Sequence, residues 1–155
     1  MIRKIAIGVV VLWGCLSMAS AQRLVIGQRP ADVRIKEYVL GEVLQEDRPV
    51  LIEFFYSLSQ PSRDRLPVLN EMAKKYAGQV TVLVLARESR ERIEPLVADK
   101  GYVFTVALDE DGKTFGGFDV QYVPFSVLMD AKGRVSWFGN SAQLTTSMIE
   151  TELKL

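Results

Sequence analysis

The sequence predicts an α/β fold: a central mixed β-sheet flanked by helices, closed by a C-terminal β-hairpin and a last helix. Three observations carry that expectation. Two apolar, β-branched runs, Val50-Leu51-Ile52-Glu53-Phe54-Phe55 and Val80-Thr81-Val82-Leu83-Val84-Leu85, are separated by a stretch of helical periodicity, so a crossover places them parallel. A second helical stretch leads to a third run, Val103-Phe104-Thr105-Val106-Ala107-Leu108. Ser126-Val127-Leu128-Met129 and Arg134-Val135-Ser136-Trp137-Phe138 then flank the turn Asp130-Ala131-Lys132-Gly133, which is hairpin spacing.

The first 21 residues have a different character. Arg3 and Lys4 precede an apolar stretch, Ile5 to Met18, that is short for a membrane span, and Ala19-Ser20-Ala21 supplies the small-x-small pattern of a signal-peptidase site. Cleavage after Ala21 is expected, leaving a periplasmic or secreted chain with no membrane span. A lipoprotein reading competes, in which Leu12-Trp13-Gly14-Cys15 acts as a lipobox and Cys15 is the anchor, but the bulky Trp13 fits that pattern poorly. Cys15 is the only cysteine. Its removal with the signal would leave a chain unable to carry or exchange a disulfide.

Composition narrows the chemistry further. A 48% apolar fraction with 25% charged residues is that of an ordinary globular domain, long enough to bury one core. Lys+Arg and Asp+Glu are equal at 19 each, so no overall field recruits nucleic acid. Histidine is absent. That removes Ser-His-Asp and Cys-His arrangements and imidazole ligation of zinc, so neither a metal nor another cofactor is expected.

In chain order, residues 22–48 read as a lead-in ahead of a domain over 49–155. Asp32-Val33-Arg34-Ile35 alternates as a short strand would, and Tyr38, Val39, Leu40, Val43 and Leu44 recur at helical spacing, predicting a helix that ends near Glu46. Val50 to Phe55 is apolar almost throughout, as in a central parallel strand covered on both faces. Ser59 is placed to cap the next helix, with Pro61 in its first turn and Leu66, Leu69, Met72, Ala73 and Tyr76 on one face. Gly78 closes it, and Pro67 inside it costs about 3 kcal/mol unless the helix bends. Glu88 to Lys100 predicts an amphipathic helix, bent or started late by Pro95, whose mixed charges Arg87-Glu88-Ser89-Arg90-Glu91-Arg92 read as a solvated helix start. Asp109-Glu110-Asp111-Gly112 has the chemistry of a turn and lacks the alternating ligands of a calcium loop. A short helix over Phe115 to Val120, the segment Gln121-Tyr122-Val123-Pro124-Phe125, the hairpin, and a helix from about Ser141 to Leu153 complete the chain.

The junction Leu58-Ser59-Gln60-Pro61-Ser62-Arg63-Asp64, between the first long strand and its helix, resembles the active-site turn of the thioredoxin family. There a buried strand with an acidic residue leads into Trp-Cys-x-Pro-Cys, and a proline five residues past the second cysteine interrupts the helix. Here Glu53 takes the acidic place, Ser59 and Ser62 stand where the two cysteines would be, Pro61 is kept, and Pro67 lies five residues beyond Ser62. With the Val123-Pro124 pair before the hairpin, the order of elements is similar to TlpA- and ResA-type periplasmic members over roughly Pro49 to Leu153. The resemblance implies a thioredoxin-like fold. It also implies a cis peptide bond at Pro124 facing the Ser59–Ser62 turn across a groove, which Leu58, Val123 and Pro124 border and where Val123 offers backbone groups to an extended substrate.

Serine cannot take over the sulfur chemistry. Exchange needs a thiolate and a sulfur leaving group, and a helix N-terminus is too weak to ionise a hydroxyl near neutrality. The resemblance therefore implies a redox-silent domain that binds an extended peptide or a periplasmic protein, with Ser59, Gln60, Pro61, Ser62 and Glu53 as the active-site equivalents and no catalytic residue among them. Two other readings stand beside it. One is a glutathione- or thiol-handling enzyme that uses Ser59 at the helix start; the other is a decayed oxidoreductase with a structural role. Calorimetry with glutathione separates the enzyme reading from the binding one. For Glu53, which in active relatives relays a proton, the expected state is a buried acid bonded to water or Ser62, with its pKa raised by burial.

Overall fold

The computed structural model describes residues 23–45, 47–109 and 111–154, so the expected export signal, its cleavage site and Cys15 lie outside the described residues. One mixed six-stranded sheet organises the chain, in the order β1-β4-β3-β2-β5-β6. Its strands are β1 (Glu37–Leu40), β2 (Val50–Phe55), β3 (Thr81–Ala86), β4 (Thr105–Leu108), β5 (Phe125–Met129) and β6 (Val135–Asn140). The helices are α1 (Gln60–Lys75), α2 (Arg90–Val97), α3 (Lys113–Gly117) and α4 (Thr146–Leu153).

Strand β2 sits at the centre because all six of its residues are buried. It pairs parallel with β3 and antiparallel with β5. Its alternating side chains feed two cores. Leu51 and Phe55 join the cluster built with Leu66, Leu69 and Met72 of α1 and Ile149 of α4, whereas Val50, Ile52 and Phe54 join the opposite cluster with Phe115, Phe118, Phe125 and Val127. This period-2 division puts Glu53 on the α1 side of the sheet.

Helix α1 begins as the sequence indicates. Ser59 is its N-cap, accepting a hydrogen bond from the Ser62 backbone N–H at 3.3 Å, and the helix runs on through Pro67 to a cap at Tyr76. Leu66, Leu69, Met72, Ala73 and Tyr76 are all buried. Asn70 is buried with them, and its side-chain oxygen accepts from the Val103 backbone N–H at 2.8 Å.

The lead-in departs from its expected form. Residues 32–35 form no strand, and of the helix expected from Tyr38 to near Glu46, residues 38–40 lie in strand β1, antiparallel to β4 with Tyr38 opposite Ala107 and Leu40 opposite Val106, residues 41–45 are irregular and Glu46 lies outside the described residues. Free edge positions on β4 attract a segment rich in Tyr, Val and Leu, and tertiary pairing overrides the helical spacing. Gly41 ends the strand: its φ is +79°, and a Cβ there would lie 2.9 Å from the Thr105 Cα. Only glycine permits that approach.

Other elements are shorter than the periodicity suggests. Helix α2 spans Arg90–Val97 rather than Glu88 to Lys100, with Ala98 already extended. Helix α3 covers Lys113–Gly117, two residues earlier than expected. The last helix is split: Ser141–Gln143 forms a 3-10 turn capped by the Asn140 side chain, Leu144 and Thr145 are extended, and only then does α4 begin.

Candidate functional site

Antiparallel register brings the two singled-out segments to one end of the sheet. Phe54 of β2 lies opposite Phe125 of β5, so the chain leaving β2 towards Ser59 and the chain entering β5 from Val123 and Pro124 meet at the same edge. The Val123–Pro124 peptide bond is cis, Pro124 is buried and Val123 half-buried. A cleft of about 390 Å³ opens near this end, lined by Tyr56, Arg87, Glu88, Phe115, Tyr122 and Val123 among others; of the residues singled out in the sequence Val123 alone is on its wall, and Leu58, Ser59, Gln60, Pro61, Ser62 and Pro124 are not. A larger cleft of about 450 Å³ lies at the opposite end, between Arg29–Val33 and the Asp130–Gly133 turn, where Val50 pairs with Met129. None of the residues singled out in the sequence lines that second cleft.

The first cleft sets aromatic side chains beside the charged Arg87 and Glu88, and apolar side chains are exposed at and near it. Leu58 is 63% exposed, Tyr56 44% and Tyr122 50%, well above what single core-forming residues leave uncovered. Tyr122 packs edge-on against Phe125 at 5.3 Å, Phe125 tilts against Phe54 at 6.0 Å, and Phe54 meets Phe115 edge-on at 4.9 Å. An unbroken aromatic series thus leads from the core to the cleft rim.

The turn itself presents some of its residues and hides others. Gln60 and Pro61 are exposed, Ser59 is half-buried with its hydroxyl engaged in the cap, and Ser62 is fully buried. Ser57, just upstream, is pinned from two sides. Its N–H donates to Glu88 Oε2 at 2.8 Å, its hydroxyl donates to Glu88 Oε1, and its carbonyl accepts from the Arg63 guanidinium. The mixed-charge run was expected to be a solvated helix start. Instead Glu88 clamps this turn, and Arg90 pairs with Glu37 of β1 and with Glu94 at 2.7 Å. Periodicity gives no signal for either role, because both depend on which loop a strand end faces.

Replacing Glu88 with alanine is expected to cost about 2 kcal/mol, since it leaves the buried Ser57 N–H and hydroxyl without partners. Glu88→Gln, which keeps acceptor capacity, should cost less. Urea unfolding together with hydrogen exchange at the Ser57 amide measures both; an unchanged exchange rate in the alanine variant would refute the clamp.

Beneath the turn lies Glu53, fully buried. Its carboxylate accepts from Ser126, directly opposite in β5, and from the Ser141 hydroxyl at 2.8 and 2.7 Å. Ser62 is not its partner, contrary to expectation: the Ser62 hydroxyl is buried and makes no hydrogen bond among the described residues. Serines on β5 and in the 3-10 turn face the acid across the sheet, whereas the Ser62 backbone is held by the helix cap. Burial pushes the Glu53 carboxyl up to about 7, against the opposing pull of the Ser126 and Ser141 hydrogen bonds and of the Arg65 charge. Arg65, on α1, has two buried guanidinium nitrogens without partners. The upward shift is the one expected; its serine partners and nearby cation are not visible in the sequence. Among the described residues no cluster of three or more acidic or cysteine side chains could hold a metal, and no helix is long and apolar enough to cross a membrane.

Solved structures with the same arrangement are numerous. A thiol-disulfide isomerase from Corynebacterium glutamicum matches 81% of this chain and 93% of its own with a TM-score of 0.65 at 20% identity. A putative thiol:disulfide interchange protein DsbE from Chlorobium tepidum matches 70% of this chain and 82% of its own with a TM-score of 0.64 at 26% identity. The present chain has a thioredoxin-like fold.

At the level of sequence, this thioredoxin-like chain is 31% identical over 88 residues to the thiol-disulfide oxidoreductase ResA of Bacillus thuringiensis (strain Al Hakam), covering 56% of this chain and 51% of the relative. It is 25% identical over 113 residues to the thiol-disulfide oxidoreductase YkuV of Bacillus subtilis (strain 168), covering 66% of this chain and 76% of the relative. The match therefore spans about half the length of ResA. No family model matches the chain.

Proposed function

We propose that this protein is an exported, redox-silent thioredoxin-like domain that holds an extended peptide or protein segment at the cleft between the Ser59–Ser62 turn and the Val123–Pro124 loop. Its relatives are thiol-disulfide oxidoreductases by name, and Ser59 and Ser62 are read as standing in the places of their sulfur couple. What supports the reading is the register of β2 against β5, which brings the end of β2 and the Val123 loop to one end of the sheet, where Tyr56, Tyr122 and Val123 line a cleft and the chain goes on from Tyr56 into the turn whose Ser59 hydroxyl caps α1. An extended segment can pair with the Val123 backbone while its side chains enter the cleft, the mode of strand addition. Export rests on the residues before Gln22.

Two experiments test this. The unaltered protein should not reduce insulin, whereas the double variant Ser59→Cys with Ser62→Cys, supplied with dithiothreitol, should; in that cycle the new dithiol is oxidised as the insulin disulfide is reduced, and dithiothreitol restores it. Capture of extended peptides should fail in Pro124→Trp, which places an indole directly after Val123 at the cleft wall. Insulin reduction by the unaltered protein would overturn the redox-silent reading, and undiminished capture by Pro124→Trp would overturn the groove.

A further inference from the structure

We infer that Arg87 makes the cleft selective for peptides carrying a carboxylate, which it would receive on its guanidinium beside the aromatic rim. This rests on the groove reading and names the class of ligand it takes. Arg87 follows directly after β3 and lines the cleft together with Tyr56, Phe115, Tyr122 and Val123. Its guanidinium lies over the Phe115 ring, 5.6 Å from the centroid. On another side it abuts Gly112, where an added Cβ would fall 3.0 Å from Arg87 Nε. The side chain is exposed to solvent and backed by the Phe115 ring and Gly112, so its guanidinium is open to a ligand entering the cleft.

Its charge is not spent inside the protein. Arg87 makes no ion pair among the described residues, although acids lie close by. Glu88 has both oxygens taken by Ser57. Asp111 pairs with Lys113 at 3.2 Å. Asp109 is buried, with one oxygen accepting from the Phe115 N–H at 2.8 Å. An exposed guanidinium at the wall of an aromatic cleft, with no ion pair among the described residues, matches the planar, two-oxygen geometry of a carboxylate. That group can come from an acidic side chain or from a peptide C-terminus.

Three fluorescein-labelled nonapeptides of alternating serine and threonine with a central phenylalanine separate these cases by fluorescence anisotropy. The first has one glutamate and an amidated C-terminus; the second has glutamine and a free C-terminus; the third has glutamine and an amidated C-terminus. The unaltered protein should bind the first or the second about fivefold more tightly than the third, and whichever is preferred identifies the source of the carboxylate. Arg87→Ala should abolish the preference and Arg87→Glu should reverse it, while Arg92→Ala, an exposed arginine outside the cleft, should leave it intact. Equal affinity for all three peptides, or a preference that persists in Arg87→Ala, would overturn the inference; if that binding is still lost in Pro124→Trp, the groove stands without it. Failure of the folded protein to bind any of the three would overturn both.

Discussion

Glu53→Gln should make the protein more stable than the unaltered chain by a margin that widens as pH rises from about 4.5 to about 7 and is constant beyond. The folded state holds the Glu53 proton up to about pH 7, against an ordinary glutamate value of 4.5. Between those limits the folded chain binds more protons than the unfolded one, so stability falls as pH rises through the window. Below it the contribution is fully present; above it the loss is complete. At about 1.4 kcal/mol per pKa unit, the two limits differ by about 3 kcal/mol. Glutamine keeps the shape and can still bond Ser126 and Ser141, but it has no proton to lose. The difference between the two urea-unfolding profiles isolates Glu53 from the other titrating groups, which both chains share. Parallel profiles across that range would mean that Glu53 is not the buried acid described above.

Phe54→Ala should destabilise the fold by about 4 kcal/mol, because the ring is fully buried and its removal leaves a cavity between three aromatic neighbours. Phe115 and its α3 cap Phe118 face Phe125 of β5 across this space, and the anchoring of helix and strand limits how far they can close together. Phe125 directly follows Pro124, so the cavity should also loosen the cleft rim, and near-UV circular dichroism should fall along with the urea midpoint. A loss below about 2 kcal/mol would show that the site collapses with little strain.

The strands were legible in the sequence where burial on both faces left no choice. Val50 to Phe55, apolar except for Glu53, and the Val82 to Leu85 portion of the next run both lie in the middle of the sheet. The cap at Ser59 was legible because capping is a local contact. What failed to show was decided by distant chain. Strand β1 exists because β4 has an open edge, and no property of Tyr38 to Leu44 announces that edge. The same holds for the polar groups. Glu53 in an apolar run demands a partner, but Ser126 and Ser141 are 73 and 88 residues away, and only the sheet register selects them over Ser62. Glu88 and Arg87 sat in a charge run whose pattern is that of any solvated helix start, until the fold turned that strand end towards the cleft.

The Ser57 anchor has a wider consequence. Between residues 23 and 154 this chain has no sulfur bridge to fasten the segment that precedes α1, and the fastening falls to two charged side chains, one reaching from the end of β3 and one from α1 itself. In such an architecture the shape of the turn rests on hydrogen bonds to one serine, received by its backbone carbonyl from Arg63 and given by its N–H and hydroxyl to Glu88.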